Sequence, residues 1–271
     1  MQPKELIKKA EKDLHEVFEK IDDIRDFNQE KVLRAFVDNK VAPEHFYTVS
    51  GYGHDDIGRE VLDNVFAQVF KAEKALARIH FVSGTHTLAC ALFGNLRYGD
   101  KLVSVAGAPY DTMQEVIGCV EPKRESLIGH GVLYEEIPLI NDMDVDFEAL
   151  EKTIDETVTM VLIQRSRGYS LRKSLSIDTI EKICKIVKSK NPDTICFVDN
   201  CYGEFVEEKE PLEVGADLIA GSLIKNPGGG MVEAGGYIAG KEKYVEKAAM
   251  RITAAGIAGG GGAVINQPRL S

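Results

Sequence analysis

The sequence predicts an α/β protein: three layers, helix on sheet on helix, around a mostly parallel seven-stranded sheet, with a helical arm in front. Three observations carry this. Seven short apolar runs, rich in Val, Ile and Leu, recur between Ile79 and Ala239. Between most of them lie stretches with apolar residues three or four apart, the period of a helix with one buried face. Glycine, proline and aspartate gather where one pattern gives way to the other. Strands alternating with helices belong to parallel sheets covered on both faces, and strands in such sheets are apolar throughout.

In chain order, Leu6, Ala10, Leu14, Val17, Ile21 and Ile24 repeat at helical spacing. Residues 5–37 therefore read as one amphipathic helix. It belongs to an arm, residues 1–50, that packs on its own domain or on a partner subunit. A stretch rich in glycine and aspartate, Gly51 to Arg59, leads into a helix from Glu60 to about Ala77. Ile79–Val82 then reads as a strand, Thr85–Leu96 as a helix and Lys101–Val105 as a strand. A helix over Thr112–Gly118 precedes a strand over Val132–Ile137. Phe147–Ile154 reads as a helix and Thr157–Gln164 as a strand. Ile177–Lys190 is a helix that Ser176 is placed to cap. Thr194–Val198, Asp217–Ala220 and Tyr237–Ala239 complete the strands, and Lys241–Ile252 is a final helix. Residues 51–252 thus make one large domain. Residues 253–271 form a glycine-rich tail, a linker or the end of the chain.

Composition excludes several classes. The chain has 271 residues, 44% hydrophobic and 28% charged, enough for a sizeable core. Its formal net charge of −10 opposes nucleic-acid binding, which rests on neutralising phosphates. Five scattered cysteines without a CxxC pair fit a reducing compartment rather than a disulfide framework or a metal site. Met1–Phe18 is charged throughout, unlike a signal peptide. No apolar run approaches the ~20 residues of a membrane span. The expectation is a cytoplasmic protein without metal, nucleic-acid or membrane partners.

Four clusters fall at the ends of these strands. Ser83-Gly84-Thr85 turns a strand into a helix, where outward N–H groups and the helix dipole make an anion site. Tyr110 follows the strand at Lys101 and can lie flat against a planar ligand. Asp199 ends an apolar strand, where a carboxylate is costly without a positive partner. Lys225 sits in GSLIKNPGGG, an amine held by close-approaching backbone, as Schiff-base chemistry with a carbonyl requires. Each has an ordinary reading alone: a capped turn, a core aromatic, an N-cap, a solvated lysine. Together they fit one ligand, pyridoxal 5′-phosphate, which has a phosphate, a flat ring, a basic ring nitrogen and an aldehyde.

On GYGHDDIGRE, FVSGTHTLACAL, GAPYDTM, IQRSRGYS, FVDNCYGEF and GSLIKNPGGG, which span most of residues 50–240, the chain resembles the fold-type-I pyridoxal-phosphate enzymes of the cystathionine-metabolising branch. It is most similar there to the aluminium resistance, or methionine gamma-lyase-like, proteins. The resemblance implies that Lys225 bonds the cofactor and later shuttles a proton, that Asp199 pairs with the ring nitrogen, and that Tyr110 stacks on the ring. It implies that Ser83, Gly84, Thr85 and Ser222 hold the phosphate and that Gln164 reaches the ring hydroxyl. Tyr52 and Arg59 resemble residues that reach the phosphate from a neighbouring subunit, implying a homodimer or homotetramer. Family members continue into a smaller C-terminal domain carrying a substrate-binding arginine, whose place neither Arg165 nor Arg172 matches. That domain is expected to be missing here. His54, His86 and the cysteines receive no catalytic role.

The function expected is elimination of a thiol from the β or γ carbon of a sulfur-containing amino acid, after removal of its α-proton. A transaminase or aldolase on the same scaffold would use the same four clusters. A phosphate- or nucleotide-binding α/β protein and a truncated, non-catalytic remnant are the readings from other classes.

Overall fold

A computed structural model describes residues 2–262 of the chain; Met1 and residues 263–271 of the tail lie outside the described residues. The arm is two helices rather than one, α1 (Pro3–Asp13) and α2 (His15–Asp38), broken at Leu14, whose φ of −100° and ψ of 3° leave the helical region. The main body follows as α3 (Ile57–Phe70), β1 (Lys74–Arg78), α4 (Gly84–Asn95), β2 (Lys101–Ser104), α5 (Asp111–Ile117), β3 (Leu133–Glu136), α6 (Phe147–Thr153), β4 (Val158–Gln164), α7 (Ile177–Lys190), β5 (Ile195–Asp199), β6 (Leu218–Ser222), β7 (Gly236–Gly240) and α8 (Glu242–Ala249).

The expected first strand is misplaced. Asp56 caps α3 through a bond from the Arg59 N–H, and Lys71 ends it in the left-handed conformation, φ 57°. The strand begins soon after, at Lys74, and Ile79–Val82 lies in the turn beyond it. Arg78 disguises this strand, because a charged residue argues against a buried one. Its guanidinium is in fact buried, bonded through Nη2 to Asp63 Oδ2 at 2.7 Å. The final helix also stops early, at Ala249 instead of Ile252.

The seven strands form one sheet in the order β1-β7-β6-β5-β4-β2-β3. From β6 to β3 every pairing is parallel; β7 alone runs against both its neighbours, β6 and β1. Successive residues of a strand face opposite sides. Val161, Ile163, Val198 and Ile219 accordingly enter one apolar core, while Met160, Leu162, Phe197 and Leu218 enter the other. Two cores on two faces make the three layers. Ser176 caps α7 as expected, accepting from the Thr179 N–H.

The arm behaves differently. α1 buries no residue, and α2 buries only Asn28 and Ala35. Asn28 ties α2 to the body by donating to the carbonyls of Phe205 and Glu207. Leu6, Ile7, Leu14, Val17, Phe18 and Ile21 remain exposed. Residues 253–262 fold back on the body, where the Gly262 N–H donates to the Tyr52 carbonyl at 2.9 Å.

Candidate active site

β4, β5 and β6 run parallel and end side by side, with Gln164 in register with Asp199 and Asp199 in register with Ala220. The carboxyl ends of such strands are where ligands gather in open α/β sheets. Three of the four sequence clusters are built on the ends of these strands or on the loop beyond β2. The fourth is the start of α4, which packs against β6.

At α4, Ser83 is the N-cap: its hydroxyl accepts the His86 N–H at 3.1 Å. The N–H groups of Gly84 and Thr85, in the first helical turn, have no intrahelical acceptor. A Cβ added to Gly84 would stand 3.1 Å from Ser222 Cβ, so glycine lets β6 and α4 approach closely here. Ser222 is 1% exposed, and its hydroxyl has no hydrogen-bond partner. A buried hydroxyl left unpaired is costly, and a ligand group accepting from it would remove that cost.

Tyr110 joins this cluster. Its hydroxyl lies 3.2 Å from Thr85 Oγ1, and its backbone N–H donates to Gln164 Oε1 at 2.8 Å. Burial and, secondarily, the Asp199 carboxylate push the phenol up to about 12. Tyr110 therefore keeps its proton at neutral pH. Gln164 is thus engaged at both ends, its amide donating to the Ser166 carbonyl.

Asp199 is wholly buried and accepts the Cys201 N–H at 3.1 Å. Burial raises its pKa, against the pull of that bond and of Lys225. Lys225 lies just past the end of β6, half-buried, with Nζ 3.9 Å from the centre of the Tyr202 ring. Burial alone would lower its pKa, but its neighbours, the Asp199 carboxylate and Tyr202 among them, outweigh that and raise it. Lys225, Asp199, Tyr110, Gln164, Thr85, Gly84 and Ser222 therefore form one group.

Tyr52 and Arg59 make their contacts elsewhere. Tyr52 is 84% exposed and stacks on His54. Arg59 is buried and donates to the carbonyls of Gly53, Gly260 and Gly262. Arg165 and Arg172 are occupied too: Arg165 by Asn200, Glu207 and Glu210, Arg172 by the carbonyls of Gln164, Ser166 and Lys173. His86 accepts the Val82 N–H on its ring nitrogen and packs edge-on against Phe81, a structural role.

Sequence reasoning missed a buried polar network beneath the site. Asn200 donates to Glu210 and to the Tyr237 hydroxyl, which donates in turn to Glu204 Oε1 at 2.9 Å. Burial raises the Glu204 carboxyl to about 8. Gly221 leaves room for it, since a Cβ there would come within 2.5 Å of both Glu204 Oε1 and Tyr237 Cε1. Only Glu204, the second of two acidic residues in FVDNCYGEF, hinted at this network. Its partner Tyr237 lies on a distant strand.

The family described as methionine gamma-lyase matches residues 3–270. The uncharacterized protein YnbB of Bacillus subtilis is 44% identical over 258 residues, covering 93% of this chain and 61% of that protein. A Listeria monocytogenes protein, proposed to be a cystathionine beta-lyase involved in aluminum resistance, is 48% identical with a TM-score of 0.95, over 97% of this chain and 67% of its own. A carbon-sulfur lyase involved in aluminum resistance from Clostridium novyi is 49% identical with a TM-score of 0.93, over 98% of this chain and 63% of its own. This chain thus spans about three fifths to two thirds of the length of these relatives. With nearly its whole length matched, the chain belongs to the methionine gamma-lyase family.

Proposed function

We propose that this chain binds pyridoxal 5′-phosphate through Lys225 and that the protein breaks a carbon–sulfur bond of a sulfur-containing amino acid. The observation that carries the reading is the buried, unpartnered Ser222 hydroxyl beside the start of α4. It sits one strand from the buried Asp199 carboxylate and three residues before Lys225. An anion fits the first feature, a protonated ring nitrogen the second and an aldehyde the third. The names of the Clostridium novyi and Listeria relatives support the lyase class.

In this reading the Gly84 and Thr85 N–H groups, the Ser83–Thr85 turn and the Ser222 hydroxyl hold the phosphate. Asp199 is the anion opposite the ring nitrogen, which relieves the cost of its burial. The bound cofactor supplies an aldehyde and an electron-withdrawing ring that stabilises charge at the substrate α-carbon. Lys225 Nζ takes the α-proton and returns it. Tyr110 packs on the ring as a neutral phenol, and Gln164 orients Tyr110 through its backbone. A second copy of the chain covers the exposed apolar face of the arm and brings Tyr52 to the site.

Adding pyridoxal phosphate to the purified chain is expected to produce a visible absorbance band that is lost in Lys225→Ala. Release of thiol and 2-oxo acid from methionine, cystathionine or cysteine then separates a lyase from a transaminase. Folded protein that gives no band would sink the reading.

A further inference from the structure

Tyr202 has three features that its place in the sequence does not explain. It is 60% exposed, although its ring lies over the Lys225 amine at 3.9 Å. Its backbone is in the left-handed region, φ 66°, which a bulky residue rarely adopts. The turn on either side of it is clamped. Before it, Asn200 is held by Arg165 Nη1 at 2.9 Å and by its bonds to Glu210 and Tyr237. After it, the Gly203 N–H donates to the Asn200 carbonyl, and a Cβ at Gly203 would stand 2.2 Å from Arg165 Cδ. Backbone strain persists only where the surroundings over-determine it, and here the clamped turn carries the Tyr202 ring to the Lys225 amine.

A cation over an aromatic face is favoured only while it is charged. Capture of a carbonyl needs the neutral amine. The groups facing Lys225 are Asp199 at the end of β5 and Cys201 and Tyr202 in the turn that follows. Burial pushes the Cys201 thiol well up, so it carries no charge at neutral pH. Asp199 and Tyr202 remain as the groups that favour the ammonium, and the Tyr202 ring lies against it at 3.9 Å.

We propose that Tyr202 is a positioning residue whose ring parks the Lys225 amine in its charged form until a carbonyl ligand displaces it. This rests on Lys225 being the carbonyl-binding amine, but it can be tested with no carbonyl ligand present. Competitive acetylation of the intact chain across pH, read on the Lys225 peptide by mass spectrometry, reports the amine alone. Tyr202→Ala is expected to raise labelling of Lys225 below its titration midpoint roughly two- to fivefold and to move that midpoint to lower pH. Tyr202→Phe keeps the ring and is expected to follow the parent profile. Tyr202→Gly suits the left-handed backbone, so it folds without the strain, and is expected to match the alanine variant. An unchanged profile in both Tyr202→Ala and Tyr202→Gly would overturn the proposal. So would a Tyr202→Phe profile that follows alanine, because the hydroxyl and not the ring would then hold the amine. If these shifts appear while pyridoxal phosphate gives no band, the cofactor reading fails and only the hold of Tyr202 on the charged amine stands.

Discussion

Ser222 supports the proposed ligand site more sharply than any charged residue does. Its hydroxyl is buried, has no partner, and lies against the glycine that opens α4. Removing an unpaired group leaves the unliganded protein no worse off, whereas hydrogen bonds to charged groups add substantially to binding. Ser222→Ala is therefore expected to weaken pyridoxal phosphate binding by about tenfold or more without lowering the melting midpoint. Spectral titration and thermal melting check both halves; unchanged affinity would remove Ser222 from the phosphate site. At this scale the sequence was informative. The places of Lys225, Asp199, Tyr110 and the Ser83–Thr85 turn were legible because strand ends and a strand-to-helix turn are visible in a pattern of neighbours; their roles toward a cofactor are our proposal. Tyr202 did not, since its role depends on a backbone angle and on an amine more than twenty positions away.

Among the elements, the turn after β5 is joined to the start of β7 by Asn200, Tyr237 and Glu204 rather than by apolar packing alone. The sequence could not show this, because the pairing of Tyr237 with Glu204 depends on β7 lying beside β6. It could not place β1 either: Ala-rich Lys74–Arg78 is a weak strand by propensity, and its buried Arg78 needs Asp63 of α3 to be tolerated. The network has a pH signature. The Glu204 carboxyl ordinarily titrates near 4.5, and in the fold it is raised to about 8. The folded state then holds the proton across that window while the unfolded chain has lost it. The stability contributed by Glu204 is therefore full below pH 4.5 and declines as pH rises towards 8. We expect the melting midpoint to fall over this range and Glu204→Gln to flatten the fall. A Glu204→Gln slope as steep as the parent's would assign it to other groups.

Across the whole molecule, the layered sheet was legible because alternation of apolar strands with amphipathic helices leaves few other architectures. The arm was legible as a helix but not in its packing. α1 has no buried residue, and the apolar residues from Leu6 to Ile21 face outward. Our proposal that a second copy covers this face expects a native mass of at least two chains by light scattering. Ile7→Glu combined with Val17→Glu is expected to lower that mass, and a parent chain that is monomeric at micromolar concentration would contradict it. Among the described residues no helix is long and apolar enough to cross a membrane. Because the chain spans only part of its relatives' length, turnover of a sulfur amino acid is a separate question from cofactor binding. The most direct test of the central claim is to add pyridoxal phosphate to the intact chain, fix the adduct with borohydride and map every lysine by mass spectrometry. The account expects one stoichiometric label, on Lys225. Labels spread over surface lysines, or none on Lys225, would contradict it.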